Sequence, residues 1–214
     1  MIKLKDLIDV NSMKYSDKVE PKHQKKMDKK AEFMSSDMKV PTTPFPENSS
    51  RETRRELEYL MHYNEGIIDE QMVKEGDNLE KVFEKYCEDN ELKYDKDYYK
   101  QIKEDSSRTI LKLKYYYNRP RPFQLADFYD MGEFKKFDLP SMNTPSYPSG
   151  HTTQAHLFAE LLGKQYPKHY DKFKELAVFV SESRVMGRAH YPSDLIFGEK
   201  VAECLFSKVM EGKK

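Results

Sequence analysis

Apolar residues in this chain recur at helical spacing, and no segment shows the sustained alternation between turns that a strand requires. Leu57, Leu60 and Met61 form one such stripe, and Leu79, Val82, Phe83 and Tyr86 form a second. Tyr99, Ile102, Ile110, Leu113 and Tyr117 form a third, which stops at Pro120. Ser49 followed three residues later by Glu52 has capping-box spacing and marks the first helix start. The pattern predicts helices over about 67–75, 78–89, 96–117, 150–165, 169–187 and 193–211. Between them, residues 123–148 hold Pro140, Pro145 and Pro148 among scattered aromatics and read as an ordered loop with room for one short helix. The expected fold class is all-α: a single-domain helical bundle over residues 44–214, carrying an extended N-terminal arm over 1–43 that is either poorly structured or draped on the body.

The arm is rich in Lys, Asp, Met and Ser, has little apolar periodicity, and reads as solvated around residues 20–26. Pro41, Pro44 and Pro46 impose an extended approach to the body. Lys plus Arg and Asp plus Glu are both 37, so the net charge is zero and no global field would hold the chain on nucleic acid or an anionic membrane. No apolar run nears the roughly 18 residues of a membrane helix, and the first residues lack the apolar stretch of a secretory signal. These features predict a cytoplasmic protein with no nucleic-acid partner and no integral membrane contact. Cys87 and Cys204 stand alone and read as free thiols, neither a disulfide framework nor a zinc site.

Against this background three clusters stand out: residues 114–123, 147–151 and 183–194. Singly each has a plain structural reading. Arg-Pro suits a helix C-terminus, Ser149 a helix cap, and His190 with Asp194 a surface pair. Together they supply several cations, two histidines, a carboxylate and a glycine at a helix start. Phosphoryl transfer without a metal needs that inventory: cations for the equatorial oxygens, a nucleophile in line, and an acid for the departing oxygen.

The three clusters resemble the tripartite signature of the type 2 phosphatidic acid phosphatase (PAP2) superfamily, which includes soluble bacterial class A acid phosphatases and vanadium haloperoxidases. Lys114, Arg121 and Pro122 fill the first block, Pro148-Ser149-Gly150-His151 the second, and Ser183, Arg184, His190 and Asp194 the third. The lead-in Pro44-Phe45-Pro46-Glu47-Asn48-Ser49-Ser50 is also similar to the soluble bacterial members. The resemblance implies a helical phosphatase with no resident cofactor or metal, acting on a small phosphorylated substrate. It implies that His190 is the nucleophile, that Asp194 fixes its tautomer, and that His151 is the acid and base. Lys114, Arg121, Ser149, Gly150 and Arg184 would bind phosphate. Vanadate would be an inhibitor, or the cofactor if the chain is a haloperoxidase; a non-catalytic module on the same fold is the other alternative. Oligomeric state, including a homo-oligomer, is open.

The first block has two registers, because Lys112, Arg119 and Pro120 have the same spacing. Positions two apart on a helix face different ways, so one lysine at most enters the site. Lys114 has Ile110, Leu111 and Tyr117 as helical neighbours, an inward set, whereas Lys112 has the wetter Arg108, Thr109, Tyr115 and Tyr116. The expectation is therefore Lys114 with Arg121, and Arg119 as a supporting cation.

Overall fold

Short polar side chains start most of the helices. Ser50, Asp69, Asn78, Asp95 and Ser149 each accept a hydrogen bond from a backbone N–H in the first turn that follows. The computed structural model describes residues 9–34 and 38–212, and every regular element among them is helical. The α-helices are α1 (Pro21–Asp28), α2 (Arg51–His62), α3 (Glu70–Asp77), α4 (Leu79–Asp89), α5 (Lys96–Tyr117), α6 (Pro122–Phe128), α7 (Gly150–Gln165), α8 (Tyr170–Met186) and α9 (Pro192–Glu211). The first body helix is capped by Ser50 rather than Ser49. Ser49 is otherwise engaged: its N–H donates to Asn11 Oδ1 and its Oγ accepts from Asn11 Nδ2.

Helix α7 is the central element, packed along α8 and α9. Its residues 152–159 are all buried, Gln154 and His156 included, so it lacks the polar face of a surface helix. Phe158 sits at the middle of the aromatic core, edge-on to Phe83 and Tyr99 at centroid distances of 5.8 and 4.9 Å. Val180 of α8 and Phe197, Val201 and Leu205 of α9 complete the layer. Cys87 is buried in the same core and Cys204 is half-buried, both as free thiols. At the end of α5, Asn118 takes a left-handed conformation (φ 49°) and turns the chain into Arg119 and Pro120.

The arm lies on the body through a few residues while most of 20–26 stays exposed. Residues 21–28 form α1 with Pro21 in its first turn, and His23 and Met27, four apart, are buried against α5. One apolar residue and one histidine are too few to register as periodicity; their burial depends on the α5 surface. Arg108 Nε donates to the Met27 carbonyl at 3.1 Å, and the Asp105 carboxylate accepts the N–H groups of Glu32 and Phe33 at 2.9 and 2.6 Å. Residues 38–46 carry no regular element, as the prolines predict. The first part of the arm, residues 1–8, lies outside the described residues. No described helix is long and apolar enough to cross a membrane.

Helices α3 and α8 touch through Gly76, where an added Cβ would lie 2.1 Å from Ser183 Oγ and 2.4 Å from Ser183 Cβ. Rotating the serine cannot relieve the second contact. Gly76→Ala should therefore lose more to overpacking (about 1–3 kcal/mol) than the about 1 kcal/mol that helix propensity returns. We expect a lower urea midpoint at unchanged slope.

Candidate active site

The corner between α8 and α9 carries His190 and Asp194, four residues apart and both buried. His190 Nδ1 lies 3.0 Å from Asp194 Oδ2, and its Nε2 lies 3.0 Å from Arg121 Nη1. A guanidinium only donates, so Nε2 is the accepting nitrogen and the ring proton sits on Nδ1, donated to Asp194. Burial, then the Arg121 and Lys114 charges, hold the His190 pKa well below its ordinary value against the pull of Asp194. The ring is neutral, with a lone pair on Nε2.

Asp194 is held by four donors. It accepts from Arg119 Nη1 (2.6 Å), His190 Nδ1, the Tyr191 N–H (3.1 Å) and the Ser146 hydroxyl. Burial opposes its ionisation, but the Arg119 charge and these hydrogen bonds keep its pKa far below the usual carboxylate range. Arg119 is wholly buried; its Nη2 donates to Glu56 of α2 at 2.9 Å, its Nη1 to Ser193 Oγ at 2.8 Å, and it lies 3.8 Å from the Tyr191 ring centroid. It supports the site by holding Asp194.

The two registers of the first block separate cleanly. Lys114 is buried beside His190, and its Nζ donates to the carbonyls of Pro145 (2.6 Å) and Ser146 (3.3 Å). Lys112 is exposed and lines a separate groove with Met38, Val40 and Tyr116. Arg121 is fixed by the carbonyls of Thr144 (2.8 Å), Ala189 (2.7 Å) and Ser141 (3.1 Å). Burial pushes Arg121 down to about 10, which leaves it charged at neutral pH, and Lys114 is pushed well below its ordinary value by burial and by Arg121.

His151, in the first turn of α7, faces a partner that no motif announced. Its Nε2 lies 3.1 Å from the Asp77 carbonyl oxygen and 3.3 Å from Asp77 Oδ1. The same Oδ1 accepts from Arg184 Nη1 at 2.7 Å, while Arg184 Nη2 donates to the Val73 carbonyl at 3.0 Å. Asp77 ends α3, distant in sequence from both partners, so no spacing could have found it. Ser149 is the cap of α7; its Oγ accepts from Thr152 N and Oγ1, and it does not line the cavity. Arg188 donates to the carbonyls of Lys135, Met61 and Gly66, pinning loops beside the corner.

The cavity that these groups border has a volume of about 400 Å³. Lys114, Gly150, His151 and His190 form one part of its lining, with Arg121, Arg184 and Asp194 set behind it. Lys22, His23 and Lys26 of α1 form another, a contribution from the arm that the sequence reading did not foresee. Among the described residues no group of three or more His, Cys, Asp or Glu side chains could hold a metal ion.

Removing Arg119 would leave Asp194 and Glu56 buried without their shared cation. Arg119→Met should cost about 3–5 kcal/mol in chemical denaturation, the penalty for breaking a buried pair; Arg119→Lys should cost less, because the charge is kept, but still be destabilising, because one ammonium cannot span both carboxylates as the planar fork does. For His151, burial and Arg184 lower the pKa, while Asp77 raises it through its hydrogen bond and charge. Asp77→Asn should therefore move the NMR titration of His151 to lower pH; an unchanged or raised midpoint would contradict the coupling.

Residues 107–210 match the family model described as "PAP2 superfamily". Lipid A 1-phosphatases of Rhizobium johnstonii and Rhizobium etli are 37% and 36% identical to this chain over 86 residues, 40% of its length. That stretch spans about a third of those relatives, 34% and 36% of their chains. The matched residues contain the end of α5, the Pro-Ser-Gly-His start of α7 and the α8–α9 corner, and leave α1 and α3 outside. Residues 107–210 of this chain are a domain of the PAP2 superfamily.

Proposed function

We propose that the protein is a phosphatase that hydrolyses phosphomonoesters through a phosphohistidine on His190, with the charge on phosphate met by side chains instead of a metal. The observation that carries this reading is His190 in the cavity lining with Nε2 unprotonated, Arg121 Nη1 3.0 Å from that nitrogen and Lys114 beside it. Phosphatase activity in the relatives' names favours a phosphate ester over peroxide as substrate.

As phosphate binds, Arg121 Nη1 passes its hydrogen bond from Nε2 to a phosphate oxygen; Nε2 attacks phosphorus, the P–N bond forms, and the bond to the leaving oxygen breaks, its electron pair going to that oxygen. His190 then keeps its proton on Nδ1, where Asp194 balances the charge that develops on the ring. Lys114, Arg121 and Arg184 offset the charge of the equatorial oxygens, aided by the Gly150 N–H at the start of α7, which Ser149 caps. His151 gives its proton to the leaving oxygen. Water next attacks phosphorus, His151 takes the water proton, and the P–N bond breaks to release phosphate and neutral His190. A bound phosphate dianion acts on His151 in the opposite sense to Arg184 and favours the protonated ring that the first step requires.

The test varies the leaving group on EDTA-treated protein. An alkoxide needs a proton to leave, so His151→Ala should slow phosphoenzyme formation from an alkyl phosphate by about 10²–10⁴-fold. A nitrophenolate leaves unprotonated, and its first step should slow far less, giving a burst of nitrophenolate because water attack has lost its base. His190→Ala should give no burst. Equal losses on both esters would remove the acid role from His151. Activity lost in EDTA and restored by a divalent metal would overturn the mechanism.

A further inference from the structure

The cavity is larger than one phosphate requires, and its second wall comes from the arm. Its volume of about 400 Å³ lies in the range of pockets that take whole small organic ligands. Every titratable side chain that lines it is a base: Lys114, His151 and His190 on the body, Lys22, His23 and Lys26 on α1. Positions 22, 23 and 26 share one face of a helix. That face is held in place from below, since His23 is buried with its Nδ1 2.7 Å from Tyr115 Oη and the Met27 carbonyl accepts from Arg108. The two lysines are thus presented at a fixed position, not on a mobile tail.

Phosphate at His190 already has Lys114, Arg121 and Arg184, so the charge on α1 is left over. Among the described residues Lys26 forms no ion pair, and the partner of Lys22 is Glu20 at 2.8 Å, which does not line the cavity. The pKa of His23, lowered chiefly by burial, is pushed down further by Lys22, Lys26 and Lys114, although Glu20 opposes them. Both walls therefore border the same cavity. Ile110, Leu111 and Pro140 lie in the lining as well and offer an apolar surface for carbon.

We propose that α1 is a specificity wall, selecting phosphomonoesters whose organic part carries a second anionic group, which Lys22 and Lys26 hold across the cavity from His190. The proposal rests on the reading of this cavity as a phosphate site and adds the substrate class. Removing either the second anion or the α1 cations should remove the same increment of affinity.

Hydrolysis-resistant probes test this by titration calorimetry on the full chain: α,ω-alkane bisphosphonates from ethane to hexane, each against its monophosphonate. The best bisphosphonate should bind about tenfold tighter than its monophosphonate, beyond the twofold that two equivalent ends give statistically. In Lys22→Gln/Lys26→Gln that ratio should fall to about two. It should persist in Lys25→Gln/Lys30→Gln, which makes the same charge change at exposed positions outside the cavity lining. Glu20→Gln should raise it. A ratio near two in the unaltered protein, or one that survives loss of Lys22 and Lys26, would overturn the proposal. Turnover of the corresponding phosphate esters separates the two readings. Tighter bisphosphonate binding without hydrolysis would sink the phosphatase and keep the wall; hydrolysis with no preference for a second anion would do the reverse.

Discussion

Asp194 and Arg119 form a buried ion pair on which both the fold of the site and its chemistry depend. Neither side chain reaches solvent, and Arg119 also holds Glu56, so one guanidinium satisfies two carboxylates. Burying such charges is costly unless each is paired and hydrogen-bonded; here Ser146, Ser193, the Tyr191 N–H and the Tyr191 ring supply further partners, and Arg119 Nε alone of the guanidinium nitrogens is left without one. Those partners come from α2, the α5–α6 link, the 140s loop and the start of α9. The carboxylate that orients His190 is thus the one that ties four segments together. A substitution cannot disturb the tautomer of the histidine without also loosening the chain around it.

The second histidine repeats the arrangement with different elements. His190 has Asp194 on one nitrogen and Arg121 on the other, whereas His151 and Arg184 share a single Asp77 oxygen. Asp194 is wholly buried and belongs to the same corner as its histidine. Asp77 is partly exposed and arrives from α3, brought to the site by the close α3–α8 contact at Gly76. The difference suits the proposed roles, since a nucleophile needs a fixed lone pair and an acid–base group must exchange protons with substrate and water.

The arm changes what the cavity can recognise. Helix α1 adds Lys22, His23 and Lys26 to the cavity lining and is anchored through His23, Met27 and Asp105. Binding energy from a remote part of a substrate can then be used at the reacting centre.

The helices of the body and the grouping of His190, Asp194 and Lys114 were legible because both are local. Apolar spacing, short polar caps and prolines decide where a helix runs, and the predicted spans 78–89, 96–117 and 150–165 match α4, α5 and α7 within a residue or so. His190 and Asp194 meet because four residues on a helical corner bring them together, and Lys114 could be chosen over Lys112 because its helical neighbours are apolar. Tertiary structure alone decided the rest. The i,i+4 pair of His23 and Met27 becomes a buried face when α5 is laid against it; in sequence it is two residues among lysines. Glu56 and Asp77 look like ordinary solvated carboxylates until chain packing places an arginine on each. Periodicity and spacing record what a residue does within its own element, whereas charge pairing across elements depends on distances that exist only after the elements have packed.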